Sequence, residues 1–361
     1  MIYLDNQATT PLAPEAREAM LKWLDGPGST GFGNPHSAHR MGRQAEAAVE
    51  LARERVAALF PPGGTVIFTG SATEALNLAL RGCDPGRAGR PVAVSAIEHS
   101  AVLNTALDLP GDTTILPVDR DGLVDPQVAL PPGVGVVAVM QVNNEIGTVQ
   151  PVADLYTRAR AAGALFVCDA VQAAGRMAIA EADLIAVSAH KFYGPKGIGA
   201  LWIRDGVDLH PVLTGGGQEG GLRSGTLSPA LCAGMGAAAQ LAMERMEEDA
   251  AHAGALWDRA QQLFSGWQIN GSTRHRYKGN LNIRRDGLDV GRLMSDTRSV
   301  MFSTGSACAS ESGKPSRILA AIGLTQDQSR GSIRLGFGRY TTTAELEEAA
   351  GMINRAAAQQ G

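Results

Sequence analysis

The chain is short of several things, and each shortage removes a class of function. It has four cysteines, Cys83, Cys168, Cys232 and Cys308, widely spaced and without a CxxC pair. That spacing offers neither a zinc framework nor a disulfide scaffold, and it fits a protein of the reducing cytoplasm. Of the seven histidines only His36 and His39, in HSAH, lie close together, with no Cys or acidic partner beside them, so no metal site is expected. Aromatic residues make up 5% and the formal net charge is −4. Without a Lys/Arg surplus or stacking rings, nucleic acid is not an expected partner. The longest apolar stretch, around GVGVVAVM, falls far short of the ~20 residues of a membrane span, so no membrane association is expected. The N-terminal MIYLDNQATT has no basic n-region and no apolar h-region, so no leader peptide is expected either. Lysine is scarce as well, five against 27 arginines.

What is present is a length of 361 residues, enough for roughly two domains, and a clear alternation. Between about 65 and 205, short β-branched runs (TVIFTG, PVAVSA, VGVVAVMQV, ALFVCDA, DLIAVSAH, GALWIR) interleave with amphipathic stretches such as SATEALNLALRG, PVADLYTRARAAG and a segment beginning at Glu98. Continuous apolar strands between helices predict an α/β fold: a mostly parallel sheet covered by helices on both faces. Upstream, apolar residues at 45, 49, 52, 56 and 59 have a helix period. After about 247 the texture changes to a long helix through HAGALWDRAQQLF, strands at GNLNIRR and SVMFST, and a final helix over TTTAELEEAAGMINRAAA, which predicts a smaller α+β domain.

In an open α/β sheet, ligands gather beyond the carboxyl ends of the strands. TVIFTG runs into Ser71-Ala72-Thr73-Glu74, an S-x-x-E capping box whose free N–H groups and dipole make a phosphate cradle. Taken alone, a plain structural cap explains it better. ALFVCDA ends in Asp169, with Gln172 three residues on, and a helix cap again explains that aspartate alone. DLIAVSAH ends in Ser188, His190 and Lys191. Lysine, unlike arginine, becomes a neutral nucleophile when desolvated.

Three motifs mislead. Ser188–Lys191 matches S-x-x-K, but no S-D-N or K-T-G accompanies it. Residues 215–220 match G-x-G-x-x-G but lie outside a first βαβ unit, and no G-x-S-x-G or phosphate-binding GK[ST] loop exists. The remaining set is a phosphate-type cap, a strand-end Asp and a strand-end Ser/His/Lys, and together these suit pyridoxal phosphate: lysine for its aldehyde, acid for its ring nitrogen, backbone and hydroxyl donors for its phosphate. Cys308, in STGSACAS, sits among small residues that give it almost no apolar company. It is either turn filler or a thiol held out for chemistry.

VSAHKFYGPKGIGALWIR resembles the cofactor-lysine segment of class V aminotransferase-like enzymes. With YLDNQATTP, FGNPHSAHRMGRQAE, IEHSAVL, VNNEIGTVQP, CDAVQAAG, GGGQEGGLRSGTLS, STGSACAS and SIRLGFGRYTT, the resemblance narrows to cysteine desulfurases, in the group with the longer cysteine loop. It implies the type I fold of pyridoxal-phosphate enzymes, with a large cofactor domain over 14–247 and a small domain made of 1–13 and 248–361. It implies that Lys191 bonds to the cofactor and moves the substrate Cα proton, and that Asp169 pairs with the ring nitrogen. Gln172 contacts the ring hydroxyl, and His99 stacks on the ring and exchanges protons with substrate. Ala72, Thr73, Ser188 and His190 hold the phosphate end, and Thr226 reaches it from the other subunit of a homodimer. Asn144 lies near cofactor and substrate, Arg334 binds the substrate carboxylate, and Cys308 attacks the substrate sulfur. The implied reaction converts L-cysteine to L-alanine and a Cys308 persulfide, for iron–sulfur cluster assembly or thiolation through an acceptor or scaffold protein. A small-residue loop suits a thiol that must travel. The alternatives are another class V enzyme, an aminotransferase or selenocysteine lyase, or a platform that keeps the fold without catalysis. The sequence departs from the family's pattern at Ser71, where G-A-T-E is usual, at Gly220, where many relatives carry Arg, and in lacking the C-terminal extension that helps some relatives dock a scaffold.

Overall fold

The computed structural model describes residues 1–84, 88–305 and 316–360. Through the first two thirds of the chain the elements are β1 (Ile2–Tyr3), α1 (Pro14–Leu21), α2 (Arg40–Ala57), β2 (Gly64–Thr69), α3 (Ala72–Gly82), β3 (Val92–Ser95), α4 (Ser100–Leu107), β4 (Thr113–Leu116), β5 (Val136–Ala138), α5 (Val152–Ala161), β6 (Leu165–Asp169), β7 (Leu184–Ser188) and β8 (Gly199–Arg204). Seven of these strands form one sheet in the order β2-β8-β7-β6-β5-β3-β4. β4, β3, β5, β6 and β7 are parallel, and β8 runs against both of its neighbours.

The apolar runs predict this burial. Every residue of β7 is buried, as a strand covered on both faces must be. Alternation then divides the side chains: Val66, Phe68, Phe166 and Trp202 enter one core, Ile67, Val167 and Leu201 the other. α2 lays Val49, Ala52 and Val56 onto the first core and buries Ala45 on the same period. The helix after β3 starts at Ser100 rather than Glu98, because the buried Glu98 carboxylate is held in the preceding turn by Ser95 Oγ and the Met140 amide, leaving His99 as the cap.

The remaining elements are α6 (Pro229–Leu263), β9 (Gln268–Ile269), β10 (Asn280–Arg284), α7 (Val290–Asp296), β11 (Val300–Met301), β12 (Ser303–Thr304), α8 (Arg317–Ala321), α9 (Gln326–Arg330), β13 (Ser332–Gly336) and α10 (Thr343–Ala358). An antiparallel sheet runs β12-β13-β10-β9, and β1 pairs with β11. The expected single strand at SVMFST is two short ones, β11 and β12, separated at Phe302, whose side chain is buried in this region's core. That core joins Leu4, Trp257, Leu281, Phe337 and Ile353. α6 serves both regions, with Met235 and Ala239 in the first core and Leu256 and Trp257 in the second. A separate apolar cluster seats Ile318, Leu319 and Ile322, of α8 and the turn after it, on Ile97, Met140 and Ile146 from loops beyond the large sheet. No described helix is long and apolar enough to cross a membrane.

Candidate active site

Beyond the carboxyl ends of β2, β3, β5, β6 and β7 lies a cavity of about 300 Å³. Ala72, Thr73, His99, Asn144, Asp169, Gln172, Ser188, His190, Lys191 and Arg334 all line it. Thr226 does not line it and is exposed on the surface of the chain. Cys308 lies outside the described residues, whereas Cys83, Cys168 and Cys232 are buried.

At one end stands the N-terminus of α3. Ser71 Oγ accepts from the Glu74 amide at 3.3 Å, so the cap expected from S-x-x-E is present. The reciprocal half is not. Glu74 Oε2 accepts from the Gly70 amide at 2.6 Å, and Arg223 Nε holds Oε1 at 2.7 Å, drawing the carboxylate away from Ser71. The first-turn amides of a helix lack internal acceptors, and here they border the cavity at Ala72 and Thr73. His190 faces the same end; burial, then Lys191, pushes its imidazole down to about 4, so it is neutral at pH 7.

Lys191 sits in a tight turn after β7, and its Nζ donates to the carbonyls of Gln7 (2.7 Å) and Ala8 (2.8 Å). Burial, with Arg176 and Arg334 nearby, pushes the amine down to about 8. Asp169 ends β6 and accepts from the Val171 amide at 2.9 Å. Burial raises its carboxyl, and His99 and Lys191 pull against that rise. Burial lowers the His99 imidazole. His99 Nδ1 accepts from the Ala101 amide at 3.1 Å, so the neutral ring carries its proton on Nε2. Gln172 donates one Nε2 hydrogen to the Gln7 carbonyl and accepts from Arg176 at Oε1, which leaves its second Nε2 hydrogen for a ligand.

At the opposite end Arg334, on β13, is 1% exposed. Its Nη2 binds Asp5 Oδ1 at 2.7 Å and its Nη1 binds the Asn144 carbonyl at 3.0 Å. Its Nε and the Asn144 side-chain Oδ1 are buried without hydrogen-bond partners. A buried polar atom left unpaired costs on the order of 1–3 kcal/mol, so both are poised for a ligand.

Sequence reasoning missed the residues that hold these groups. Arg176, buried in the turn after Asp169, ties Gln172 to the carbonyls of Asn6 and Lys191. Asp5 orients Arg334 across 329 positions of sequence. No spacing signals such pairs; YLDNQATTP is visible only as a motif.

The model of the class V aminotransferase family matches residues 2–348. The cysteine desulfurase IscS of Rickettsia felis is 40% identical, over 98% of this chain and 90% of that protein, and that of Rickettsia akari matches equally. Among solved structures, a NifS-like protein superposes with a TM-score of 0.90 at 30% identity over 99% of each chain. SspA, solved in complex with cysteine, superposes at 0.82 and 31% identity over 95% of this chain and 100% of that one. The chain therefore belongs to the class V aminotransferase family. Within it, the chain stands with the cysteine desulfurases.

Proposed function

We propose that the protein is a pyridoxal-phosphate-dependent cysteine desulfurase that converts L-cysteine to L-alanine. The observation that carries this reading is one cavity with a half-buried lysine amine and a buried carboxylate at adjacent strand ends, lined also by an arginine with an unpaired Nε. The residues fit the cofactor: a helix N-terminus with Thr73, Ser188 and His190 for its phosphate, Asp169 for its ring nitrogen, Gln172 for its hydroxyl and Lys191 for its aldehyde. When bound, pyridoxal phosphate supplies the electron sink that makes the substrate Cα proton acidic.

The chain's own residues do the rest. A neutral Lys191 amine has two N–H donors, enough for Gln7 and Ala8, and its lone pair is then free to take the Cα proton. Near pH 8 a useful fraction is neutral. His99 donates from Nε2, because taking a proton at Nδ1 breaks its bond to the Ala101 amide. Arg334 grips the substrate carboxylate through its free Nε–H, and Asn144 can meet it only with its Nδ2 hydrogens, leaving its Oδ1 to accept from the substrate amine. Cys308, as thiolate, attacks the substrate sulfur: an S–S bond forms, the C–S bond breaks, and its electron pair takes a proton at Cβ to give alanine. The products are alanine and a Cys308 persulfide, which passes to an acceptor for iron–sulfur cluster assembly or thiolation. A homodimer places Thr226 at the phosphate of the other subunit, and the reaction belongs in the cytoplasm.

Cys308→Ala tests the reading. The variant is expected to keep a borohydride-sensitive cofactor absorbance yet form no persulfide and release no sulfide from cysteine with a reductant. Sulfide release at the wild-type level overturns it.

A further inference from the structure

Asn144 is followed by a second acidic group that the reaction above does not use. Glu145 is buried, and its backbone is pinned: its amide donates to Asn143 Oδ1 at 2.8 Å, and its carbonyl accepts from Asn280 and Asn282, both at 3.1 Å. Its carboxylate Oε2 accepts from Ser316 Oγ at 2.6 Å. Ser316 also caps α8 by accepting from the Leu319 amide at 3.1 Å, so its hydroxyl is committed as both donor and acceptor. The next residue, Arg317, donates to the carbonyls of Ala96 and Glu98, immediately before His99. α8 has five residues, too few to be stable by itself. Its place is set by these bonds and by the apolar seat of Ile318, Leu319 and Ile322.

We propose that Glu145 is a positioning residue for sulfur transfer, fastening α8 through Ser316 to the loop of Asn144, while Arg317 fastens it to the loop of His99. The proposal rests on the desulfurase reading. Ser316 is eight positions beyond Cys308 in the sequence, so the fastening ties the chain after the sulfur-carrying cysteine to the two loops that meet the substrate. The charged groups facing the Glu145 carboxylate are Arg334 from β13 and Arg317 from α8; β10 offers only the neutral Asn280 and Asn282. Burial pushes this carboxyl up to about 7, against the pull of Ser316 and the two arginines. The ionised form makes the stronger, charge-assisted bond to Ser316. The fastening therefore slackens as pH falls through about 7.

Single-turnover alanine formation by the cofactor-loaded enzyme tests this across that pH range, alongside cysteine affinity read from the cofactor's absorbance. Glu145→Ala is expected to slow alanine formation about tenfold, the loss of one hydrogen bond to a charged group, with cysteine affinity unchanged. Glu145→Gln keeps an acceptor for Ser316, so it restores most of the rate and loses the inflection near pH 7. If Glu145→Ala does not fold, Ser316→Ala removes the same bond from the other side and is expected to show the same split. A wild-type rate in the alanine variants, an equal loss of cysteine affinity, or a pH profile of Glu145→Gln identical to wild type, beyond the Lys191 titration that both share, overturns the proposal. Wild-type enzyme that makes no alanine from cysteine overturns the desulfurase reading instead.

Discussion

The two ends of the cavity are built in different ways. At the lysine end, Ala72, Asp169, Ser188 and Lys191 come from the ends of strands in one sheet, which set their backbones, while the Lys191 amine is also held by the distant Gln7 and Ala8 carbonyls. At the arginine end, Asp5, Asn144, Ser303 and Arg334 come from distant segments, with contacts spanning 190 and 329 positions. A group fixed by its own strand tolerates changes elsewhere. A group fixed across two regions depends on how they are held together, and on the proposed reading that end grips the substrate carboxylate.

Four measurements break or sharpen this contrast. Lys191→Ala is expected to cut cysteine turnover by about 10³-fold, within the range of general acid–base loss, and to abolish the borohydride-sensitive absorbance. Damage confined to the Michaelis constant sinks the division of labour. Arg334→Lys removes the fork that spans Asp5 and the Asn144 carbonyl. It is expected to raise the Michaelis constant for cysteine roughly 10- to 100-fold, at about 1.5–3 kcal/mol for hydrogen bonds to charge, without changing cofactor loading.

Glu98→Gln probes the floor behind the lysine end. Burial pushes the Glu98 carboxyl up to about 8, from an ordinary 4.5. Its contribution to stability is therefore full below the ordinary value and is lost as pH rises through about 8. The glutamine variant, which retains the acceptor for Ser95 and Met140, is expected to melt like wild type in acid and to be more stable than wild type above that pH. Glu145 titrates with the same sign, so part of the slope persists in the variant. Equal melting at alkaline pH means that Glu98 is not held neutral. Asp5→Asn has the smallest effect, a rise in the Michaelis constant of about fivefold, one weakened charge-assisted bond, with turnover kept. An effect on cofactor loading shows that the two ends are not independent.

The lysine end was largely legible in the sequence because its signals are local. A capping serine after a β-branched run, an aspartate ending an apolar strand and a lysine leaving another each declare their position within ten residues. The reciprocal Glu74 bond was misread because its competitor, Arg223, lies 149 positions away. The helix at Glu98 was misplaced for a similar reason: the Met140 amide 42 positions on holds that carboxylate in the turn. Arg334, Asn144 and His99 could be named only from motif resemblance, since nothing in their spacing ties them to one site.

By itself, the order of apolar runs and caps determined the large sheet and which strand ends face the ligand, because hydrophobic period and turn chemistry act over a few residues. Only the tertiary structure decided that Asp5 orients Arg334, that Gln7 and Ala8 cradle Lys191 and that Glu145 holds Ser316. Those contacts join segments far apart in sequence. Which polar groups meet in a buried place is settled by packing of the two cores, not by any pattern along the chain.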